Sequence, residues 1–288
     1  IAGARNHSDL GQRSGSAYVF RHMGNGQWVE ETKLLASDGN TLARFGAAVA
    51  IHDETLVVGA PNSNSSITYT TGKAYVFKRV AGQWTEVQDF YDVNGEFGDS
   101  YGHSVDVFGE RVLIGAFDDD DLAADSGAAW VYLWNGTSYE LEQKLLANDG
   151  GHWNNFGFGV AIDHESIVVG AISDDDFGEA TGSAYLFSLD ATQTWVQHAK
   201  LIASDPERFD NFGSDVAISG NIALIAGSLN DTVCPLNDGC NSGSAYLFET
   251  GILPTGQTFK RGDANDDADF NLADIIYLLA YLFISGSP

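Results

Sequence analysis

Basic residues are scarce in this chain. Its 288 residues hold 14 Lys and Arg against 40 Asp and Glu, a net charge of −26. So few cations cannot neutralise a run of phosphates, which argues against nucleic acid and anionic membrane as partners. Proline is scarce too, 5 residues beside 33 glycines. That balance suits tight turns between short strands rather than collagen or a linker. No apolar run reaches the roughly 18–20 residues that a membrane-spanning helix needs. There are two cysteines, Cys234 and Cys240, in the single stretch "VCPLNDGC". Their shared loop fits a local disulfide and an oxidising compartment; the other reading is two free thiols. A zinc site would need further ligands at the usual spacing, and none stands nearby. What is plentiful is apolar character, 44% of the chain, which opposes disorder. The acidity reads mainly as solubility in a salty exterior and suits a protein that holds cations.

One unit recurs. "FGAAVAIHDETLVVGA" (Phe45–Ala60), "YGHSVDVFGERVLIGA" (Tyr101–Ala116), "FGFGVAIDHESIVVGA" (Phe156–Ala171) and "FGSDVAISGNIALIAG" (Phe212–Gly227) start 56, 55 and 56 residues apart. A polar loop follows each, then an aromatic segment such as "GKAYVF" or "GSAYLF", with an earlier "GSAYVF" at Gly15. A fourth segment follows most of them: "QWVEETKLLA", "QWTEVQDF", "SYELEQKLLA", "TWVQHAKLIA". Short β-branched or aromatic runs bounded by turn residues are strands. The continuous apolar runs "VVGA" and "AYVF" predict strands covered on both faces, and the alternating tryptophan segment predicts an outer strand with one wet face. The glycine of "VVGA" (Gly59, Gly115, Gly170) predicts a place where backbones crowd together. Four-stranded sheets repeated at this period, set radially, make a β-propeller.

The Phe-Gly and Gly-Ala pairs mark a resemblance to FG-GAP repeats, the blades of the integrin α-subunit propeller. The resemblance covers Ile1 to Glu249 and implies an all-β propeller of four-stranded antiparallel blades. Blades of that type often carry a DxDxDG calcium loop between their first two strands. Here that connection is a tight turn ("HDE", "FGE", "DHE", "SGN"), so the resemblance does not extend to propeller calcium. The chain opens on Ile1, inside a repeat, with "IAGA" matching a second strand, and the last unit lacks its tryptophan strand. The expectation is a fragment of about 4.5 blades: three strands in the first unit, four in each of the next three, three in the last.

Two loops, 117–127 ("FDDDDLAADSG") and 172–182 ("ISDDDFGEATG"), concentrate carboxylates. They read first as solvated rim loops, because runs of like charge are usually solvated; a hard cation is the other chemistry they would suit. The equivalent "PNSNSSITYTTG" has no carboxylate. No catalytic constellation stands out. His52 and His164 fall in turns, and His103 follows a Tyr-Gly pair. Trp28, Trp84 and Trp195 recur at one register and predict blade packing.

The chain closes on "GDANDDADFNLADIIYLLAYLF". Counting Asp263 as the first position of an ion loop, Asn265 and Asp267 fall at the third and fifth, Asp269 at the seventh, Asn271 at the ninth and Asp274 at the twelfth. Oxygen ligands at that spacing wrap a Ca²⁺ ion, the seventh through its carbonyl. A helix-forming apolar run follows. The segment resembles the first half of a type I dockerin, with Ala268 where glycine is usual and no second half before "SGSP". The domains expected are the propeller at 1–249, a linker at 250–261 and the loop-helix unit at 262–288. The resemblance implies a cohesin-bearing partner. The chain then reads as a secreted or cell-surface binding and adhesion propeller in a polysaccharide-degrading or surface assembly, with a glycan or protein ligand on the propeller. The alternative is a carbohydrate-active propeller enzyme, a glycoside hydrolase or lyase, delivered by its dockerin.

Overall fold

The computed structural model describes residues 1–24, 26–63, 70–230 and 243–250. The described residues form eighteen strands in five antiparallel sheets and no helix. The first sheet is β1 (Ala2–Gly3), β2 (Ala17–His22) and β3 (Trp28–Leu34). The second is β4 (Val49–His52), β5 (Thr55–Ala60), β6 (Lys73–Val80) and β7 (Gln83–Phe90). The third is β8 (Ser104–Phe108), β9 (Arg111–Ala116), β10 (Ala128–Trp134) and β11 (Tyr139–Leu145). The fourth is β12 (Phe156–Asp163), β13 (Ser166–Ala171), β14 (Ser183–Leu189) and β15 (Trp195–Leu201). The fifth is β16 (Phe212–Ser219), β17 (Ile222–Gly227) and β18 (Ser244–Glu249). The strand tally and its distribution are those that the repeat predicts. Within each sheet strand order follows the chain, so each is a meander, and these sheets are the blades.

First strands of successive blades lie side by side, β4 against β8, β8 against β12, and β12 against β16. A short parallel bridge ties each blade to the next: Gly15 to Phe45, Gly72 to Tyr101, Gly127 to Phe156, and Gly182 to Phe212. The apolar core is divided into four parts, each lying between two blades. A single sheet buries one set of side chains only when another covers it, so stacking the repeat supplies the core that one repeat lacks. At each seam the ring of the Phe-Gly motif meets a ring of its own blade's third strand edge-on. Phe45 lies 5.4 Å from Tyr75, Phe156 5.4 Å from Tyr185, and Phe212 5.3 Å from Tyr246.

The second strands of the three four-stranded blades are buried almost along their length; every residue of β5 is covered, and all but the first of β9 and of β13. The glycine expected at a crowded place stands in one. A Cβ on Gly59 would lie 2.0 Å from the Gly102 carbonyl oxygen of the next blade, and one on Gly115 would lie 2.1 Å from that of Gly157. The third and fourth strands pair through a bulge at one repeated place, between Val19 and Phe20, Val76 and Phe77, Val131 and Tyr132, and Leu186 and Phe187. A bulge adds twist and lets the outer strand swing away from its neighbour.

Trp195 packs as predicted, 2% exposed, and Trp84 joins the seam between the first two blades. Trp28 does not: it is 66% exposed. Among the described residues no blade packs against that side of the first sheet. Cys234, Cys240, residues 251–261 of the linker and the whole 262–288 unit, with Asp263, Asn265, Asp267, Asp269, Asn271 and Asp274, lie outside the described residues.

Candidate functional site

The propeller has two faces. One is made by the tight turns between first and second strands. The other is made by the loops between second and third strands and by the loops that lead from blade to blade. On this loop face the two kinds of loop are hydrogen-bonded at a repeated position. Leu42 N donates to the Gln12 carbonyl at 2.8 Å, Gly98 N to Thr70 at 3.0 Å, Trp153 N to Ala124 at 2.8 Å, and Phe209 N to Glu179 at 2.9 Å.

Lysines fix the same face. Lys200 on β15 reaches Asp149 at 2.8 Å, Asp174 at 2.8 Å and Asp176 at 2.5 Å. Lys144 on β11 reaches Asp119 at 3.0 Å and Asp121 at 2.5 Å. Lys33 on β3, in the same register, pairs with Asp9. The second blade exchanges the charges. Asp89 occupies the lysine register, and Lys73 at the start of β6 reaches it at 2.8 Å and Asp38 at 2.7 Å. Burial works against the Lys200 charge, and bonds to Asp149, Asp174 and Asp176 outweigh it, leaving its pKa raised. Burial likewise opposes the charges of Lys144 and Lys73, and bonds to their carboxylates raise both. Asp38 and Asp149 come from the preceding blade, so these clusters latch blade to blade. Three of the six lysines share one register, and that spacing is the signal of these clusters in the sequence.

The acidic loops are therefore not simply solvated. Asp119 and Asp174, at equivalent places, are each 2% exposed. Asp174 accepts from Ser183 Oγ at 3.0 Å and Tyr185 OH at 2.8 Å. Asp120, Asp121, Asp175 and Asp176 remain exposed, as expected of rim residues. The first carboxylate turns inward because a buried lysine and hydroxyls receive it there. Among the described residues no three His, Cys, Asp or Glu side chains form a group that could hold a metal ion.

Where the second and third blades meet, the carboxylates crowd. Asp99 is 3% exposed and accepts from Glu96 N at 2.7 Å. Burial pushes its pKa up and the Glu96 amide pulls it down. The charges of Asp119, Asp120 and Asp92 push it up again, to about 7. Burial against a bond from Ser100 takes Asp118 to about 6. Near the propeller axis on the same side, His103 lies 4.5 Å from the Phe117 ring and 4.7 Å from Phe158. Burial, aided by the Arg5 charge, lowers its pKa to about 4, so it is neutral at pH 7.

The opposite face has a groove of about 570 Å³ lined by Phe108, Arg111, His164 and Glu165 among others. Its strongest polar groups serve the blades. Arg111 makes two 2.9 Å bonds to Glu142, and Asp163 accepts from Gly220 N of the next blade at 2.5 Å. His164 Nδ1 lies 2.6 Å from Asp163 Oδ1, and its ring lies 4.4 Å from Phe108. His52 and His164, scattered in sequence, flank Phe108 on this face. The loop face, by contrast, displays exposed apolar side chains. Leu10, Leu42, Phe97, Leu122, Trp153, Phe177 and Phe209 are all exposed there.

No curated protein matches the chain. The FG-GAP repeat family model matches four times, at residues 28–77, 84–132, 139–187 and 195–248. Each match runs from the outer strand of one blade to the third strand of the next, so each spans one seam. The four cover more than half of the chain, and the chain belongs to the FG-GAP repeat family.

Proposed function

We propose that this propeller is a secreted binding and adhesion module that meets its ligand on the loop face. The observation that supports this reading is the contrast within that face. Its loops are held by lysine latches and repeated backbone bonds, yet apolar side chains and carboxylates project from them. Recognition groups carried on loops above a rigid frame are the usual arrangement of a binding surface. The test is a glycan and extracellular-protein array probed with the full chain and with a Trp153→Gly, Phe209→Gly variant. Retention of signal that the variant loses is expected. Equal signal from both overturns the assignment to this face.

The second part of the proposal concerns attachment. Residues 262–288 form a dockerin half that binds Ca²⁺ and joins the propeller to a cohesin-bearing partner in a polysaccharide-degrading or cell-surface assembly. Its support is the donor set. Asp263, Asn265, Asp267 and Asp274 offer side-chain oxygens, Asp269 a carbonyl and Asn271 a water-mediated ligand, all suited to a hard cation. Metal binding and folding of such a unit are linked. Calorimetric titration of the full chain with CaCl₂ should give binding heat that Asp263→Ala abolishes. No heat, or heat unchanged by the substitution, refutes the calcium loop.

A further inference from the structure

At three of its four blade junctions the loop face carries a large apolar side chain at one structural place. Leu42, Trp153 and Phe209 each stand three residues before the ring of the next Phe-Gly or Tyr-Gly motif. All three have left-handed backbone, with φ of 68°, 61° and 68°, a region that residues bearing a Cβ disfavour. All three are exposed, Trp153 by 63% and Phe209 by 49%, so packing does not repay the conformation. The fourth junction shows that the fold does not require the side chain. Gly98 stands there with φ 105° and makes the same backbone bond to the preceding loop. Strain kept at a position where glycine serves the fold points to a role outside the fold.

A second row of apolar groups accompanies the first. Leu122 and Phe177 each stand six residues after the alanine that closes a second strand, Leu10 stands six after Ala4, just past β1, and all three are exposed. The Leu122 side chain lies over Gly150, since a Cβ there would meet its Cδ1 at 3.0 Å. Leu122 with Trp153, and Phe177 with Phe209, thus belong to bonded loop pairs at successive junctions. Exposed apolar groups gathered on one face mark an interaction surface.

Charge selects the partner. Around these two junctions Asp120, Asp121, Asp175, Asp176 and Glu179 are exposed. Three of these are already paired, Asp121 with Lys144, Asp176 with Lys200 and Glu179 with Arg208, which leaves Asp120 and Asp175, in no ion pair among the described residues, to meet an incoming cation. We infer that the loop face between the third and fifth blades binds a polypeptide segment in which apolar side chains alternate with lysine or arginine. Its apolar groups meet the Leu122–Trp153 and Phe177–Phe209 pairs, and its cations meet the surrounding carboxylates. This inference rests on the loop-face reading above and adds the chemistry of the partner.

The experiment is fluorescence anisotropy on the full chain with short labelled peptides alternating valine with lysine, valine with glutamate, or glutamine with lysine. Calorimetry with cellohexaose is run beside it. The valine–lysine peptide should bind saturably and weaken with salt. Its affinity should fall about tenfold or more in Trp153→Gly, Phe209→Gly, as for central aromatic anchors. It should fall by a smaller factor in Asp120→Asn, Asp175→Asn. Thermal unfolding of the glycine variant should be unchanged or shifted upward, which separates lost binding from lost fold. Two outcomes overturn the partner class and leave the loop face standing. In one, the valine–glutamate peptide or cellohexaose binds instead, in a manner that the glycine variant loses. In the other, the glutamine–lysine peptide binds as tightly as valine–lysine. Peptide binding that the glycine variant keeps overturns both readings. No binding by any probe overturns the partner class, and the array then judges the loop face alone.

Discussion

Removing the Lys200 ammonium should expose how the blades are latched. The perturbation is Lys200→Met, which keeps most of the side chain's volume and deletes its charge. Of the carboxylates that Lys200 holds, Asp149 and Asp176 have side chains 44% and 57% exposed and can turn to water. Asp174 cannot, because its side chain is 2% exposed. Breaking a buried pair by deleting one partner costs about 3–5 kcal/mol. Bonds from Ser183 and Tyr185 still serve the Asp174 carboxylate, which brings the expected loss to about 2–3 kcal/mol. At roughly 2–4 °C per kcal/mol for a domain of this size, the melting temperature should drop by about 4–12 °C. Asp174→Asn removes the stranded charge while keeping an oxygen for Ser183 and Tyr185. The double variant Lys200→Met, Asp174→Asn should therefore recover to within about 1 kcal/mol of the parent. The assay is urea unfolding of all four proteins as a double-mutant cycle. A coupling energy below about 0.5 kcal/mol would show that Lys200 and Asp174 are neighbours without being a latch.

Asp99→Asn should stabilise the protein at neutral and higher pH. The carboxyl titrates at about 7 in the fold and near its ordinary value of 3.8 when unfolded. Between those values the folded state binds more protons, so this group's contribution falls as pH rises from about 4 to 7. The substitution should raise stability by about 1–2 kcal/mol at pH 8 and leave it unchanged near pH 4. Urea midpoints across that range test it; no pH dependence in the difference would refute it. Gly115→Ala should split the seam between the third and fourth blades, because the added Cβ would lie 2.1 Å from the Gly157 oxygen, backbone that cannot yield cheaply. A loss of about 3 kcal/mol or more, or failure to fold, is expected from equilibrium unfolding. Alkylation and mass measurement under non-reducing conditions should find Cys234 and Cys240 bonded, as their shared loop implies; two labelled thiols would refute the disulfide.

The sequence by itself determined the frame of this protein. A period of 55–56 residues, strands short enough to read one by one, and a glycine in each second strand were enough to give blades, strand number and a core between blades. These features are legible because each rests on local pattern and repeats: side-chain alternation, turn residues and the need of a thin sheet for a neighbour. The tertiary structure decided what the polar groups do. Asp119 and Asp120 are adjacent and chemically identical, yet one is buried under Lys144 and the other is exposed. Their difference depends on a lysine twenty-odd positions away on another strand, which no local pattern encodes. Trp28, Trp84 and Trp195 share a register but not an environment, because burial at a seam requires the blade on its far side. The apolar steps of the loop face were hidden for the same reason. Leu42, Trp153 and Phe209 look like unrelated loop residues until the fold sets them at one left-handed position on one side of the propeller. Periodic burial is written along the chain; which side chains share a face or a counter-ion is fixed only when distant strands meet.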